Sequence, residues 1–209
     1  MYNKVNPLIQ YKEGAHRLLS PNRERSSIVT VQKVHTHIFK LVLSAMFLAM
    51  AMVFPWITGQ ISELGNAFLP MHIPILLCGF FCGPIYGITL GALAPYLRLI
   101  LFGAPVLMPH GIAMSFELAT YGLVAGLLYK LLPKNALSAY ISLIGAMIMG
   151  RIVWGAARVM LYDLGKVPFG WEAFMSGAFF AAIPGIVIQL VLIPPLVILL
   201  GKIYPKLGK

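Results

Sequence analysis

The chain has 209 residues, of which 59% are hydrophobic and only 11% are charged, and it carries a net charge of +10. A soluble domain has about a quarter charged residues, so this composition excludes an ordinary soluble protein and indicates an integral membrane protein. The positive charge does not indicate a nucleic-acid partner: seven of the 16 Lys and Arg lie before residue 41 and three in the last eight residues, as expected when both termini face the cytoplasm.

The first predicted element is a basic cytoplasmic arm over residues 1–37, followed by a six-helix transmembrane domain over 38–209. Residues 28–40 could form a basic amphipathic helix on the membrane surface, but a loosely ordered positive tail that sets the topology is favoured. Just after the arm, Ala45 and Ala49 stand four apart. Small residues at this spacing share a helix face and let a second helix approach closely.

Six apolar segments are long enough to be read as membrane helices. They are predicted at 38–57, 70–83, 86–102, 111–132, 137–162 and within the run 173–203. The second is short and bends tightly into the third at Gly83-Pro84. The last run exceeds one crossing, so Pro184-Gly185 is predicted to divide it into a re-entrant or interfacial piece and a final span.

Four ionisable residues remain inside the predicted spans: Arg98, Glu117, Arg151 and Arg158. Counting about 1.5 Å per residue from the helix ends places all four in the outer half of the membrane. Charges at this depth are costly and usually face a partner or a cavity. Glu117 could simply form an ion pair with one arginine and so link two helices, while Arg158 extends toward the membrane surface. We favour a binding pocket, because three arginines exceed one carboxylate and an anionic ligand would balance the excess.

Arg151, Trp154 and Arg158 share one face of the fifth span, where they could hold an anion beside an apolar or flat group. His72 and Asn66 stand where the first outer loop meets the second span, and are predicted either as lid residues or as groups that hydrogen-bond a helix end. Gln189 could contact the substrate or satisfy the backbone that Pro184 frees; the sequence leaves both open.

No enzyme constellation is present in the sequence, which contains no phosphate-binding loop and no paired intramembrane carboxylates. We therefore predict neither an enzyme nor a cofactor. Cys78 and Cys82 stand four apart in an apolar run and are predicted to be free buried thiols rather than metal ligands. Any ATP-driven role would require other subunits.

One segment has a recognisable pattern. The run MHIPILLCGF at 71–80, followed by Gly83-Pro84, combines with the basic arm and the small-residue step of the first span. Over about residues 38–203 the chain resembles the substrate-binding S component of energy-coupling factor (ECF) vitamin transporters. The HIP run is similar to that of the pantothenate and riboflavin branch.

The resemblance implies a multi-pass subunit of the bacterial plasma membrane that binds a vitamin from outside. It also implies docking through Ala45 and Ala49 on a transmembrane T component driven by two ATPases, followed by toppling and inward release. Pantothenate is the first choice of substrate, because the arginines favour a carboxylate. Riboflavin is the second, since Trp154, Trp56 and Phe102 could stack on its ring, and folate, niacin and a queuosine precursor stay open. The alternatives from other classes are a stand-alone transporter of a small organic anion and an assembly factor.

Overall fold

The computed structural model describes residues 21–57, 68–164 and 182–203, with side chains at 34–56, 68–161 and 182–202. Its helices in chain order are α1 (Pro21–Ile57), α2 (His72–Cys82), α3 (Pro84–Phe102), α4 (Ile112–Leu131), α5 (Ala136–Leu164) and α6 (Ile183–Ile203), with a wide turn at Leu107–Gly111 before α4. The predicted all-α membrane fold is confirmed.

Five helices of the described part are long and apolar enough to cross a bilayer. They cover Val34–Trp56, Pro84–Phe102, Leu107–Leu131, Ala136–Leu161 and Ile183–Lys202. The sixth, α2, has only 11 residues, and each of them is buried. At about 1.5 Å per residue it reaches roughly 16 Å, well short of a hydrocarbon core of about 30 Å. The second predicted helix therefore exists, but it is enclosed by protein and is too short to span the membrane by itself.

The first helix begins earlier than predicted. The chain divides into two compact units, Met1–Phe39 and Lys40–Lys209. In the first unit α1 already starts at Pro21, so residues 21–37 are helical where a loosely ordered tail was favoured. Pro21 suits a first helical position, and no Gly or Pro interrupts the chain from there to Pro55. The assignment of this unit as a cytoplasmic arm stays a prediction.

Close glycine contacts join α2, α3 and α4. A methyl group added at Gly79 of α2 would lie 2.6 Å from the carbonyl oxygen of Gly122 on α4, and one at Gly87 of α3 would lie 2.5 Å from the same atom. One at Gly126 would lie 2.7 Å from the carbonyl oxygen of Gly79. Backbones this close leave no room for a side chain, as is common where membrane helices pack tightly. These contacts fix the axial register of the three helices.

The helix ends follow local chain chemistry. Gly83 ends α2 with a φ of 99°, a backbone conformation that residues with a side chain rarely adopt. Pro84 follows at the first position of α3. The predicted bend at Gly83-Pro84 is thus confirmed. The final span begins at Ile183, with Pro184 in its first turn. The predicted re-entrant piece before it lies outside the described residues.

Candidate substrate-binding site

A buried ion-pair network joins three helices near the N-terminal ends of α2 and α4. Glu117, on α4, is 2% exposed, and its Oε1 atom lies 3.1 Å from Nη1 of Arg151 on α5. The same oxygen lies 3.5 Å from Nε2 of His72, the first residue of α2. Glu117 faces inward because it lies on the buried i, i+4 stripe of α4 that also contains Ala113 and Tyr121. We call His72, Glu117, Arg151 and Tyr121 the inner cluster.

Tyr121 belongs to this cluster but was missed in the sequence. It is 1% exposed, its ring centroid lies 5.3 Å from that of His72 in an edge-to-face arrangement, and it interacts with Glu117 and Arg151. A methyl group at Gly150 of α5 would overlap the Tyr121 ring. Gly150, directly before Arg151, therefore makes room for Tyr121, which follows Glu117 by one helical turn. A glycine next to the arginine and a tyrosine one turn from the carboxylate were the signals in the sequence that could have indicated this contact.

Arg98 lies closer than the inner cluster to the membrane face at which α4 begins. Gly91 of α3 faces Leu118 of α4 where these antiparallel helices meet. Seven residues along α3, Arg98 is therefore level with Gly111, about 9 Å outside Glu117 at 1.5 Å per residue. It continues the buried face of α3 and is 8% exposed. Its Nη1 atom is buried without a hydrogen-bond partner in the described part of the chain, where no ion pair of Arg98 is found.

Arg158 lies at the same outer level. It follows Arg151 by seven residues on α5, about 10 Å outward. Its guanidinium carbon lies 4.7 Å from the centroid of the Trp154 ring, a cation–π distance, and Trp154 is 4% exposed. His110, in the wide turn before α4, is close enough to experience the charges of Arg158, Glu117 and His72. We call Arg98, His110, Trp154 and Arg158 the outer cluster. Arg158 contacts Trp154 and lies near His110, whereas Arg98 is grouped with them by its level along the helix axes alone.

The remaining polar candidates are His72, Asn66 and Gln189. His72, the first residue of α2, is 1% exposed and contacts Glu117, level with Arg151. Its predicted role as a lid residue or as a group that hydrogen-bonds a helix end stays a prediction. Asn66 lies outside the described residues. Gln189 is 0% exposed, and neither of its amide atoms has a hydrogen-bond partner in the described part.

The predicted docking alanines point away from the bundle. Ala45 and Ala49 are exposed on α1, whereas Ser44 and Phe47 turn inward. Phe47 stacks on Phe81 of α2, with ring centroids 6.3 Å apart. The small-residue face of α1 is therefore accessible to another helix.

The two cysteines are free and buried. The Sγ atom of Cys78 lies 3.6 Å from Oγ of Ser44, a neutral contact between α2 and α1. No group of three or more His, Cys, Asp or Glu side chains that could hold a metal ion occurs among the described residues.

Comparison with known proteins supplies the family. The family model described as "ECF transporter, substrate-specific component" matches residues 39–197, which is most of the chain. No curated protein and no solved structure matches this chain. The chain therefore belongs to the ECF transporter substrate-specific component family, and it is a membrane substrate-binding subunit of such a transporter rather than an enzyme.

Proposed function

We propose that this subunit captures a small organic anion of the B-vitamin type, pantothenate in the first place, from the outer side of the bacterial plasma membrane. Uptake is then driven by an ECF T component and two ATPase subunits. The substrate-contacting residues in this proposal are those of the outer cluster together with the inner residues beneath it: Arg98, Trp154, Arg158, Arg151, Glu117, His72 and, at the rim, Asn66.

The observation that carries the proposal is the unbalanced guanidinium of Arg98. Glu117 already pairs with Arg151, and in the described part of the chain it is the one buried carboxylate. Arg98 has a buried nitrogen with no partner in that part. A buried charge without a counter-charge is costly, and a substrate carboxylate between the outer arginines would offset this cost through charge-assisted hydrogen bonds.

The arrangement favours a division of roles between the two clusters. The inner cluster is balanced within itself, because Glu117 contacts both Arg151 and His72. Its charges therefore need no substrate carboxylate, and we assign it to the floor of the pocket. The outer cluster has cationic side chains and the buried ring of Trp154, which suits an anion attached to a compact apolar body.

Pantothenate fits this division better than riboflavin does. Its carboxylate would meet the outer arginines, whereas riboflavin needs flat aromatic surfaces. Trp56 packs edge-to-face on Phe102, with ring centroids 5.9 Å apart, and Trp56 is 57% exposed, so this pair does not form an enclosed flat site. Trp154 is the buried ring among the three aromatic candidates, and Arg158 lies over it.

Docking on the T component is assigned to the exposed face of α1. Ala45 and Ala49 leave a shallow surface there, on which another helix can pack at short distance. Support for this assignment comes from the exposure of the two residues and from the resemblance of the Ala step to that of the family.

The direct test is identification of small molecules that copurify with the subunit, by extraction and mass spectrometry, followed by titration calorimetry with pantothenate and riboflavin. Panthenol, which has a neutral hydroxymethyl group in place of the carboxylate, is the matched control ligand. We expect pantothenate to bind tightly and panthenol at least about 100-fold more weakly. Equal binding of the two would refute the anion assignment. Pantothenate uptake into liposomes that contain the subunit alone would favour a stand-alone transporter instead.

A further inference from the structure

Gln189 lies on the buried stripe of α6. The stripe runs at four-residue intervals through Gly185, Gln189, Ile193 and Val197, each of them buried. Gln189 is 0% exposed, although a glutamine in a lipid-facing helix would be expected to turn its amide toward water or another polar group. Its side chain therefore points into the protein.

The amide of Gln189 is not used by the fold as described. Both Oε1 and Nε2 are buried without a hydrogen-bond partner in the described part of the chain. In the described first turn of α6 the amide N–H of Ile186 donates to the carbonyl oxygen of Ala182 at 2.9 Å. The carbonyl that would have accepted from an N–H at Pro184 belongs to residue 180, outside the described residues, so this hydrogen bond does not decide between the two roles that the sequence left open for Gln189.

Gln189 is expected to lie at a depth similar to that of the inner cluster. Helix α6 packs against α2 and α5, which carry His72 and Arg151. Gln189 is six residues into α6, about 9 Å from its start, and Glu117 is five residues into α4, about 7.5 Å from its start. The six-span order predicted from the sequence places the starts of α4 and α6 on the same side of the membrane, so the two depths correspond.

Other unused donors lie at this depth. Nδ1 of His72 and the Nε and Nη2 atoms of Arg151 are also buried without hydrogen-bond partners among the described residues. Several unused polar atoms on three neighbouring helices indicate a polar guest rather than separate defects, since buried polar groups are normally hydrogen-bonded.

We propose that the amide of Gln189 hydrogen-bonds a neutral polar group of the bound substrate, so that the substrate carries a hydroxyl or amide group in addition to its anionic end. This inference rests on the proposed function. A glutamine amide both donates and accepts, so it can pair with a hydroxyl or another amide in either direction. In this proposal the outer arginines bind the acidic end of the substrate, and the Gln189 amide hydrogen-bonds a polar group at its neutral end.

The test compares Gln189→Leu with Ser142→Ala in the full-length subunit. Ser142 is the matched control: it is also 0% exposed, its Oγ also has no partner in the described part, and it lies on α5 about 13 Å inward from Arg151. Binding of pantothenate and of panthenol is measured by calorimetry. We expect Gln189→Leu to weaken both ligands about tenfold and by the same factor, because panthenol keeps the hydroxyl and amide groups. Ser142→Ala should change neither.

The melting temperature of the ligand-free protein separates a binding role from a structural one. If the amide makes hydrogen bonds only when substrate is bound, Gln189→Leu removes an unsatisfied buried group from the ligand-free protein. The melting temperature should then be unchanged or higher. A clearly lower melting temperature would show that the amide stabilises the fold, and unaltered ligand binding would show that it does not meet the substrate. Either result overturns the inference.

Failure of the proposed substrate would be distinguishable. If the wild-type protein binds neither pantothenate nor panthenol, the substrate assignment is wrong. The inference about Gln189 is then decided by the amount of small molecule that copurifies with each variant. A lower amount with Gln189→Leu than with Ser142→Ala supports it, and equal amounts overturn it.

Discussion

The guanidinium of Arg151 lies 3.1 Å from the carboxylate of Glu117, and both side chains are almost completely buried. The contact links α4 and α5 and balances the charge of Arg151. Arg98, in the last turns of α3, has no ion pair among the described residues. The proposed anion site follows from this pairing.

Replacement of one partner of this pair should destabilise the protein strongly. We expect Glu117→Gln to lower the free energy of unfolding by about 3–5 kcal/mol, because it leaves the Arg151 guanidinium buried without a counter-charge. Thermal unfolding of the ligand-free protein in detergent would measure this. The double variant Glu117→Gln with Arg151→Met should recover part of the loss, since it removes both charges. Additive losses in the double variant would show that the two residues do not act as a pair.

Much of the fold could be predicted because hydrocarbon thickness constrains the length of apolar segments. The helices α3, α4 and α5 begin and end within a few residues of the predicted bounds. Hydropathy could not show that α2 is shorter than a span, because its burial depends on neighbouring helices that approach through Gly79 and Gly122. The start of α1 at Pro21 was missed because charged residues there were read as a tail, although a charged sequence without breakers can be helical.

The pairing and the relative levels of the charged residues could not be predicted. Residue counts only placed Glu117 and the three arginines in one half of the membrane, whereas Arg98 and Arg158 lie about 9–10 Å along the helix axes from the Glu117–Arg151 pair. Which arginine meets the carboxylate depends on the rotation of each helix, and that rotation follows from glycine contacts between distant parts of the chain. Tyr121 was overlooked because an aromatic residue in an apolar span usually indicates core packing, and its place in the cluster is shown by its contacts with His72, Glu117 and Arg151.

Loss of the Arg98 charge should weaken substrate binding without harming the fold. We expect Arg98→Ala to raise the dissociation constant for pantothenate by about 100-fold, because it removes a buried charge-assisted hydrogen bond. Arg98→Lys should be intermediate, since it keeps the charge but loses the planar fork. Leu99→Ala, at the half-buried neighbouring position, is the control and should have little effect on calorimetric binding. Unchanged binding in Arg98→Ala would remove the main support for the anion site.

The glycine contacts predict a steep cost for one added methyl group. A methyl at Gly122 would overlap the backbone of Gly87, so Gly122→Ala should force α3 and α4 apart and reduce the yield of folded protein. Gly201→Ala is the matched control, because nothing lies within 4 Å of an added methyl group there. It should be neutral or slightly stabilising, as alanine favours a helix over glycine. Size-exclusion profiles in detergent would compare them. Equal behaviour of the two variants would contradict the close approach.

The exposed alanines of α1 should separate docking from binding. We expect Ala45→Leu with Ala49→Leu to leave pantothenate binding by the isolated subunit unchanged, because both residues face away from the buried clusters. The same variant should lose copurification with the T component, since leucine side chains prevent close helix packing. Ile144→Leu, at an exposed position of α5, is the control for an apolar change on the outer surface. A double-leucine variant that still assembles and supports ATP-driven uptake would show that the docking surface lies elsewhere. Weakened pantothenate binding by the isolated variant would show that this face of α1 also supports the pocket.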